Sequence, residues 1–143
     1  TTTNKLFGTT NNPYDISKSC GASSGGTAVS IAAQMLPLAM GSDFAGSLRT
    51  PASFCNIVGM RPSVGFVPTS RRSMGWSPFD VEGPMARNVT DLKILLSGMV
   101  SECNLDPIPT HVNKKKDLCY ILGFFVFKKY AFVAQKLKSV KMT

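Results

Sequence analysis

Two serine- and glycine-rich clusters contain the residue types in this 143-residue chain that could do chemistry. The first is Lys18-Ser-Cys-Gly-Ala-Ser-Ser-Gly-Gly-Thr27, and the second is Gly41-Ser-Asp-Phe-Ala-Gly-Ser-Leu-Arg-Thr-Pro51. A serine hydroxyl becomes a useful nucleophile when a base takes its proton. Small residues before such a serine let the backbone turn its N–H groups toward a developing negative charge. The clusters therefore indicate nucleophilic catalysis or the binding of an anion.

The first cluster, taken by itself, fits two other patterns. Gly21 and Gly26 have the spacing of a phosphate loop, but Thr27 follows where that loop needs a lysine and then a serine or threonine. Gly21-Ala-Ser-Ser-Gly25 also matches the nucleophile elbow of α/β-hydrolases. The segment before it is polar and contains proline, and His111 is the single histidine that could act as its base. Both interpretations remain open as weaker alternatives.

Taken together, the clusters resemble the amidase signature family. Its motifs are Gly-Gly-Ser-Ser-Gly-Gly-Ser, then Gly-Ser-Asp-x-Gly-Gly-Ser-Ile-Arg, then Pro-Ala-x-Phe-Cys-Gly-x-x-Gly-x-Lys-Pro. The corresponding segments here are Gly21-Ala-Ser-Ser-Gly-Gly-Thr27, Gly41-Ser-Asp-Phe-Ala-Gly-Ser-Leu-Arg49 and Pro51-Ala-Ser-Phe-Cys-Asn-Ile-Val-Gly-Met-Arg-Pro62. The resemblance implies an α/β fold with a mixed central sheet flanked by helices, present only in part. It also implies an amidase that cleaves a carboxamide C–N bond through a serine acyl-enzyme, without metal or cofactor.

The resemblance also implies a role for each motif residue. Ser47 corresponds to the acylated nucleophile, and Ser23 to the bridging serine that follows a cis peptide bond in that family. The implied oxyanion hole consists of the backbone N–H groups of Phe44, Ala45, Gly46 and Ser47. The implied supporting loop residues are Ser24, Gly25, Gly26, Asp43 and Arg49, with Asp43 and Arg49 expected to brace the nucleophile by hydrogen bonds and Ser24 expected to brace or cap.

The family's general base is a lysine far upstream of the bridging serine, whereas 22 residues precede Ser23 here. Lys18 does not match the lysine motif, and we expect it to have a structural or surface role. The segment is therefore expected to lack its base and to be inactive by itself. The alternatives are a noncatalytic truncated remnant or binding module, and an ammonia-releasing enzyme similar to the amidotransferase A subunit. The chain departs from the family pattern at Ala22, Ala45, Asn56 and Arg61. Trp76 and Phe79 are candidates for the wall of a substrate pocket or for the core.

Composition excludes several other classes of protein. With 43% hydrophobic and 17% charged residues, the chain is expected to fold rather than to be disordered. Four widely spaced cysteines without a signal peptide favour reduced thiols in the cytoplasm, and Cys55 is expected to be a buried small residue. The net charge of +8 lies mainly in a lysine-rich tail. We expect the chain to bind a small-molecule amide and not to bind nucleic acid or a membrane. A full-length protein that contains this chain could form a homodimer.

The elements that must position the clusters can be outlined from the pattern. We expect a core segment over residues 1–100 and a divergent tail over 101–143, which could hold a loop and a strand or helix of the same fold. Predicted strands are Leu38–Ser42, Ile57–Met60 and Leu118–Phe127. Predicted helices are Ala28–Leu36, a short turn capped by Thr50 and ending at Cys55, and a helix capped by Thr90 whose core stripe is Leu92, Leu95, Leu96 and Met99.

Overall fold

The computed structural model describes residues 2–70, 76–102 and 105–108. The chain divides into two units, Thr1–Val112 and Asn113–Thr143, and every described residue belongs to the first. The predicted strand Leu118–Phe127 and His111 lie outside the described residues. Within those ranges the elements are β1 (Thr3–Asn4), β2 (Gly8–Thr9), α1 (Gly25–Ala32), β3 (Leu38–Asp43), α2 (Arg49–Phe54), β4 (Val58–Gly59), β5 (Val81–Ala86) and α3 (Val89–Met99).

Strand β5 is the centre of a three-stranded sheet of order β3-β5-β4. It runs antiparallel to both neighbours. Its pairing with β3 extends from Leu38 opposite Ala86 to Asp43 opposite Val81. The predicted strand at 38–42 is confirmed, and the one at 57–60 is confirmed in a shorter form. Strand β5 was not predicted from the sequence, because its Pro84 is unusual in a central strand, where proline cannot donate a ladder hydrogen bond.

Helix α1 begins and ends earlier than predicted. The chain leaves the helix through Gln34, whose φ of 63° is in the left-handed region. The N–H of Gln34 donates to the carbonyl of Ile31 at 3.1 Å, and the N–H of Met35 donates to Ser30 at 2.9 Å. These two bonds define a Schellman motif, which usually has glycine at the left-handed position. The missing glycine explains why the sequence pattern predicted a helix as far as Leu36.

The predicted N-caps of the other two helices are wrong. Leu48 is the N-cap residue of α2, and Thr50 lies in its first turn, where its N–H donates to the carbonyl of Gly46 at 2.7 Å. At α3 the cap is Asn88, whose side-chain oxygen accepts the N–H of Asp91 at 2.9 Å. Asparagine is as good a cap as threonine or better, so the earlier residue begins the helix.

The core lies where α1 and α2 pack on the sheet. Its fully buried side chains are Cys20, Ala28, Ile31, Leu48, Ala52, Cys55 and Met85. Of the predicted stripe on α3, Leu92 and Leu96 are buried, whereas Leu95 and Met99 are only partly buried and line an open groove of about 580 Å³. Leu48, in the second serine cluster, is completely buried, so the loop before α2 is anchored in the core.

Candidate active site

The second serine cluster forms a tight loop between β3 and α2, called here the nucleophile loop (residues 43–48). Asp43 ends β3, and its side chain is completely buried. Its carboxylate accepts the N–H of Gly46 at 2.8 Å and the N–H of Leu48 at 3.2 Å. Ser47 lies between these two residues and is half-buried. A single carboxylate therefore fixes the backbone on both sides of the candidate nucleophile.

Two arginines neutralise the Asp43 carboxylate. Arg49 donates from Nε at 2.9 Å and from Nη2 at 3.0 Å, which is a bidentate pair. Arg61 Nη1 lies 3.3 Å from the carboxylate and also donates to the backbone carbonyl of Asp43. Burial by itself would raise the pKa of Asp43, but the hydrogen bonds from Arg49, Gly46 and Leu48 outweigh it and lower the pKa to about 2. Asp43 is therefore ionised at neutral pH and acts as a brace.

Glycine is required at position 46, whereas two departures from the family glycines are harmless. Gly46 has a φ of 119°, a conformation that side chains with a Cβ rarely adopt, and a Cβ there would lie 3.0 Å from Thr50 Oγ1. Ala22 and Ala45 have negative φ, so their methyl groups cost nothing in backbone conformation. Asn56 does replace glycine at a left-handed position, with φ of 52°, which asparagine tolerates better than most residues.

The first serine cluster is fastened to the end of β3. Ser24 is buried, and its hydroxyl donates to the carbonyl of Ser42 and accepts the N–H of Ser42, both at 3.2 Å. Ser24 is the N-cap residue of α1 but makes no side-chain capping bond there. The Ser24–Ser42 contact therefore joins the two clusters, because Ser42 directly precedes Asp43. Ser23 is exposed, and the Ala22–Ser23 peptide bond is cis.

Two of the three glycines in this cluster allow a close approach to neighbouring residues. Gly21 has a φ of 81°, and a Cβ there would lie 2.9 Å from Pro51 Cα and N, in the first turn of α2. Gly25 begins α1 and is buried, and a Cβ there would lie 2.7 Å from Cys20 Sγ. Gly26 is exposed, with the nearest atom 3.9 Å from the position of a Cβ. Space therefore requires glycine at 21 and 25 but not at 26.

One donor of the oxyanion hole implied by the resemblance has a protein acceptor in this structure. The N–H of Gly46 is occupied by Asp43, so it is not available to a developing oxyanion in this structure. Among the described residues, none accepts a hydrogen bond from the N–H groups of Phe44, Ala45 or Ser47. Phe44 and Ala45 are exposed. These three donors are therefore the ones that the loop can offer.

The described residues contain no lysine in a setting suited to a base. A lysine can take a proton when burial favours its neutral form. Lys18 has a side chain that is 72% exposed, and its Nζ lies 2.9 Å from Asp15, so it is a surface ion pair. Lys5 and Lys93, the other lysines of the described ranges, are also exposed. The surface role expected for Lys18 is confirmed.

Two further residues lie at the candidate site. From the sequence, Arg61 was noted as a departure from the family lysine, and Phe79 was a candidate for a pocket wall or for the core. The guanidinium of Arg61 donates to the carbonyl of Phe79 at 3.0 Å and to that of Pro78 at 3.4 Å, in addition to Asp43. Phe79 in turn contacts the ring of Phe44, with ring centroids 5.8 Å apart. The arginine in place of a family lysine was the available signal, because a guanidinium has five donors and can join several carbonyls.

The remaining polar groups do not suggest other chemistry. Cys55 is completely buried, and burial raises the pKa of its thiol to about 11, which confirms its expected role as a small core residue. Among the described residues there is no group of three or more histidine, cysteine, aspartate or glutamate side chains that could hold a metal ion. No helix in the described part of the chain is long and apolar enough to cross a membrane.

Comparison with known proteins places these motifs in one family. The Amidase family model matches residues 1–119. The chain is 38% identical over 120 residues to the glutamyl-tRNA(Gln) amidotransferase A subunit of Caldanaerobacter subterraneus subsp. tengcongensis, covering 84% of this chain and 25% of that protein. The corresponding A subunit of Thermus thermophilus is 42% identical over 105 residues, covering 73% and 22%. The chain thus spans about a quarter of the length of the curated relatives it matches.

Solved structures give the same result. A bacterial aryl acylamidase of the amidase signature enzymes superimposes with a TM-score of 0.73 at 37% identity, over 78% of this chain and 23% of that one. The 6-aminohexanoate cyclic dimer hydrolase superimposes with a TM-score of 0.70 at 34% identity, over 77% and 23%. The α/β fold expected from the sequence is thereby confirmed, and the described elements are an antiparallel portion of it.

Proposed function

The chain belongs to the amidase signature family, and on that basis we propose that it carries the nucleophile segment of an enzyme that cleaves a carboxamide C–N bond. Ser47 Oγ attacks the amide carbonyl carbon, and its proton passes through the Ser23 hydroxyl to a base. The tetrahedral intermediate expels the amine, which takes a proton, and leaves an acyl group on Ser47. Water then attacks this ester, releases the acid and restores the serine.

This proposal rests on the hydrogen bonds by which the Asp43 carboxylate holds the nucleophile loop. Chemistry at a serine needs the hydroxyl and the oxyanion donors held in place before the substrate arrives. Asp43 holds the N–H groups of Gly46 and Leu48 on both sides of Ser47. The N–H groups of Phe44, Ala45 and Ser47 are left for the oxyanion. A substrate oxyanion could therefore accept from this loop without breaking a hydrogen bond inside the protein.

The proton must go to a group outside the described residues. The lysines among them are exposed, so none has the buried setting that a lysine base requires. The family resemblance supplies the expectation of a buried lysine reached through Ser23. Ser23 suits a relay because it is exposed at the start of α1 and is held near β3 through its neighbour Ser24.

A second candidate function is the release of ammonia for transfer, as in an amidotransferase A subunit. The names of the curated relatives support it, since those quoted above are A subunits of glutamyl-tRNA(Gln) amidotransferase. Both candidates share the attack of Ser47 on the carbonyl carbon of an amide. They differ in what receives the ammonia and in whether glutamine is the substrate.

Hydrolysis of defined amides tests the proposal. The complete product of the reading frame that encodes this chain is assayed for ammonia release from phenylacetamide, acetamide and glutamine, with Ser47→Ala and Ser97→Ala variants. Ser97 is an exposed serine of α3 and serves as the matched control. We expect activity that Ser47→Ala abolishes and Ser97→Ala leaves unchanged. Turnover of glutamine alone supports the second candidate, and absence of turnover on all three amides supports a noncatalytic remnant or binding module.

A further inference from the structure

Two exposed phenylalanines meet at the edge of the candidate active site. The rings of Phe44 and Phe79 have centroids 5.8 Å apart and an interplanar angle of 59°. Their exposed fractions are 47% and 59%. Tilted aromatic pairs at this separation attract each other beyond simple burial of area. The pair therefore presents a preformed apolar surface that the described residues leave open to solvent.

The pair is held in place by the same arginine that binds the nucleophile loop. Arg61 Nη1 donates to the carbonyl of Asp43, the residue before Phe44, and to the carbonyl of Phe79 at 3.0 Å. Arg61 Nη2 reaches the carbonyl of Pro78 at 3.4 Å. One guanidinium thus joins the backbone segments that carry the two rings. This arrangement fixes the position of the aromatic surface relative to Ser47, three residues after Phe44.

The position of Phe44 connects the aromatic surface to chemistry. Its N–H group is one of the three donors left for an oxyanion, so the residue that carries one of the two rings also carries a donor for the substrate carbonyl. Binding sites for small molecules combine an apolar wall with a few fixed polar groups. An exposed aromatic pair beside a row of free backbone donors has this combination.

We propose that Phe44 and Phe79 form an aromatic wall that binds an aromatic group of the amide substrate and sets a preference for aryl-bearing amides over small aliphatic ones. This inference rests on the proposed function, since it places the carbonyl of the substrate at the nucleophile loop. The aromatic group can belong to the acyl part, as in phenylacetamide, or to the amine part, as in acetanilide. Both present the same ring to the wall.

The test measures binding separately from turnover. The complete gene product carrying Ser47→Ala is titrated by NMR with phenylacetamide, acetanilide and acetamide, and the titrations are repeated with Phe44→Ala, Phe44→Leu or Phe79→Ala added. Phe54→Ala is the matched control, because Phe54 of α2 is 49% exposed, much like Phe44. Removal of one aromatic contact is expected to raise Kd roughly three- to tenfold for the aryl amide.

The expected result is that at least one aryl amide binds more tightly than acetamide, that Phe44→Ala and Phe79→Ala each weaken it, and that Phe54→Ala does not. The aryl amide that responds identifies the side of the substrate that the wall reads. The inference is overturned if the Kd of the aryl amides is the same in Phe79→Ala and Phe44→Leu as without them. It is also overturned if neither aryl amide binds more tightly than acetamide. If binding depends on the two rings but the protein hydrolyses no amide, the aromatic wall is supported and the proposed function is refuted. If the protein hydrolyses amides but binding does not depend on the rings, the proposed function is supported and the aromatic wall is refuted.

Discussion

The buried carboxylate of Asp43 accepts the backbone N–H of Gly46, the residue directly before the candidate nucleophile Ser47, at 2.8 Å. The same carboxylate also accepts the N–H of Leu48. The turn around Ser47 is therefore built on a charge whose burial is compensated by Arg49 and Arg61. Both the stability of the segment and the geometry of its candidate site depend on this one side chain.

The first prediction concerns that charge. The pKa of Asp43 is lowered to about 2 from an ordinary value of 3.8, so its contribution to stability is present above about pH 4 and is lost as the pH falls through about 2. Asp43→Asn removes this contribution and leaves two arginines without their partner, at a cost of about 2–4 kcal/mol near neutral pH. Urea unfolding at several pH values measures it.

The control for this prediction is Asp15→Asn. The pKa of Asp15 is also lowered to about 2, by hydrogen bonds from Ser17 and Lys18, but these partners lie in the same exposed turn. Exposed ion pairs contribute little because solvent screens them. We expect the difference between wild type and Asp43→Asn to narrow below pH 4. The bracing role of Asp43 is contradicted if the difference in unfolding free energy between wild type and Asp43→Asn stays constant below pH 4. It is also contradicted if Asp15→Asn loses as much stability as Asp43→Asn.

The second prediction concerns the packing of the first serine cluster on α2. Gly21→Ala places a methyl group 2.9 Å from backbone atoms of Pro51 at a φ of 81°, and we expect a loss of more than about 2 kcal/mol. Gly26→Ala is the paired control, because it lies in α1 with open space around the new methyl. It should stabilise the helix by about 0.5–1 kcal/mol. Similar changes in thermal stability for the two variants would show that the close approach at Gly21 is not required.

The third prediction uses the end of α1. Gln34 has a φ of 63° at the left-handed position of a Schellman motif. Gln34→Gly removes the strain of about 1–2 kcal/mol but also makes the unfolded chain more flexible. We expect a net gain of about 0.5–1 kcal/mol in the free energy of unfolding. Gln34→Ala keeps the Cβ and should be neutral. A loss of stability in the glycine variant is incompatible with the helix end described.

The fourth prediction concerns the two described cysteines. Cys20 and Cys55 are 1% and 0% exposed, and burial raises the pKa of Cys55 to about 11. Burial shields both thiols from the reagent, and the raised pKa of Cys55 also disfavours its reactive thiolate, so neither should be alkylated in the folded protein at neutral pH. Iodoacetamide labelling followed by peptide mass spectrometry measures each site. We expect both to be labelled only after denaturation, and rapid labelling of Cys55 under native conditions would contradict the buried setting.

The sequence predicted the family and the positions of its motifs better than the boundaries of the helices and strands around them. The serine clusters were recognisable because each residue type there has a chemical requirement, as with Gly46 at its positive φ. The helix end at Gln34 was not predictable, since the signal for it is a glycine that this chain lacks. Strand β5 was missed because Pro84 argues against a central strand, and its place depends on pairing with β3 far away in the chain.

From the sequence, Asp43 was expected to brace the nucleophile loop and Phe79 was a candidate for a pocket wall, but neither the N–H groups that Asp43 accepts nor the ring that Phe79 meets could be predicted. The motif places Asp43 three residues before Gly46, but spacing alone does not say that the carboxylate turns back onto that N–H. Phe79 lies outside the motifs, and its backbone is brought to the nucleophile loop by the pairing of Val81 with Asp43 and by the hydrogen bonds of Arg61. Contacts between segments distant in sequence have no local signature.

Covalent labelling tests most directly whether Ser47 is the nucleophile. A fluorophosphonate probe is incubated with the complete gene product, and the modified peptide is sequenced by mass spectrometry, with Ser47→Ala and Ser97→Ala proteins in parallel. We predict phosphonylation at Ser47 that disappears in Ser47→Ala and persists in Ser97→Ala. Modification of Ser23 with Ser47 untouched would contradict the claim and would favour the nucleophile elbow at Gly21–Gly25 instead.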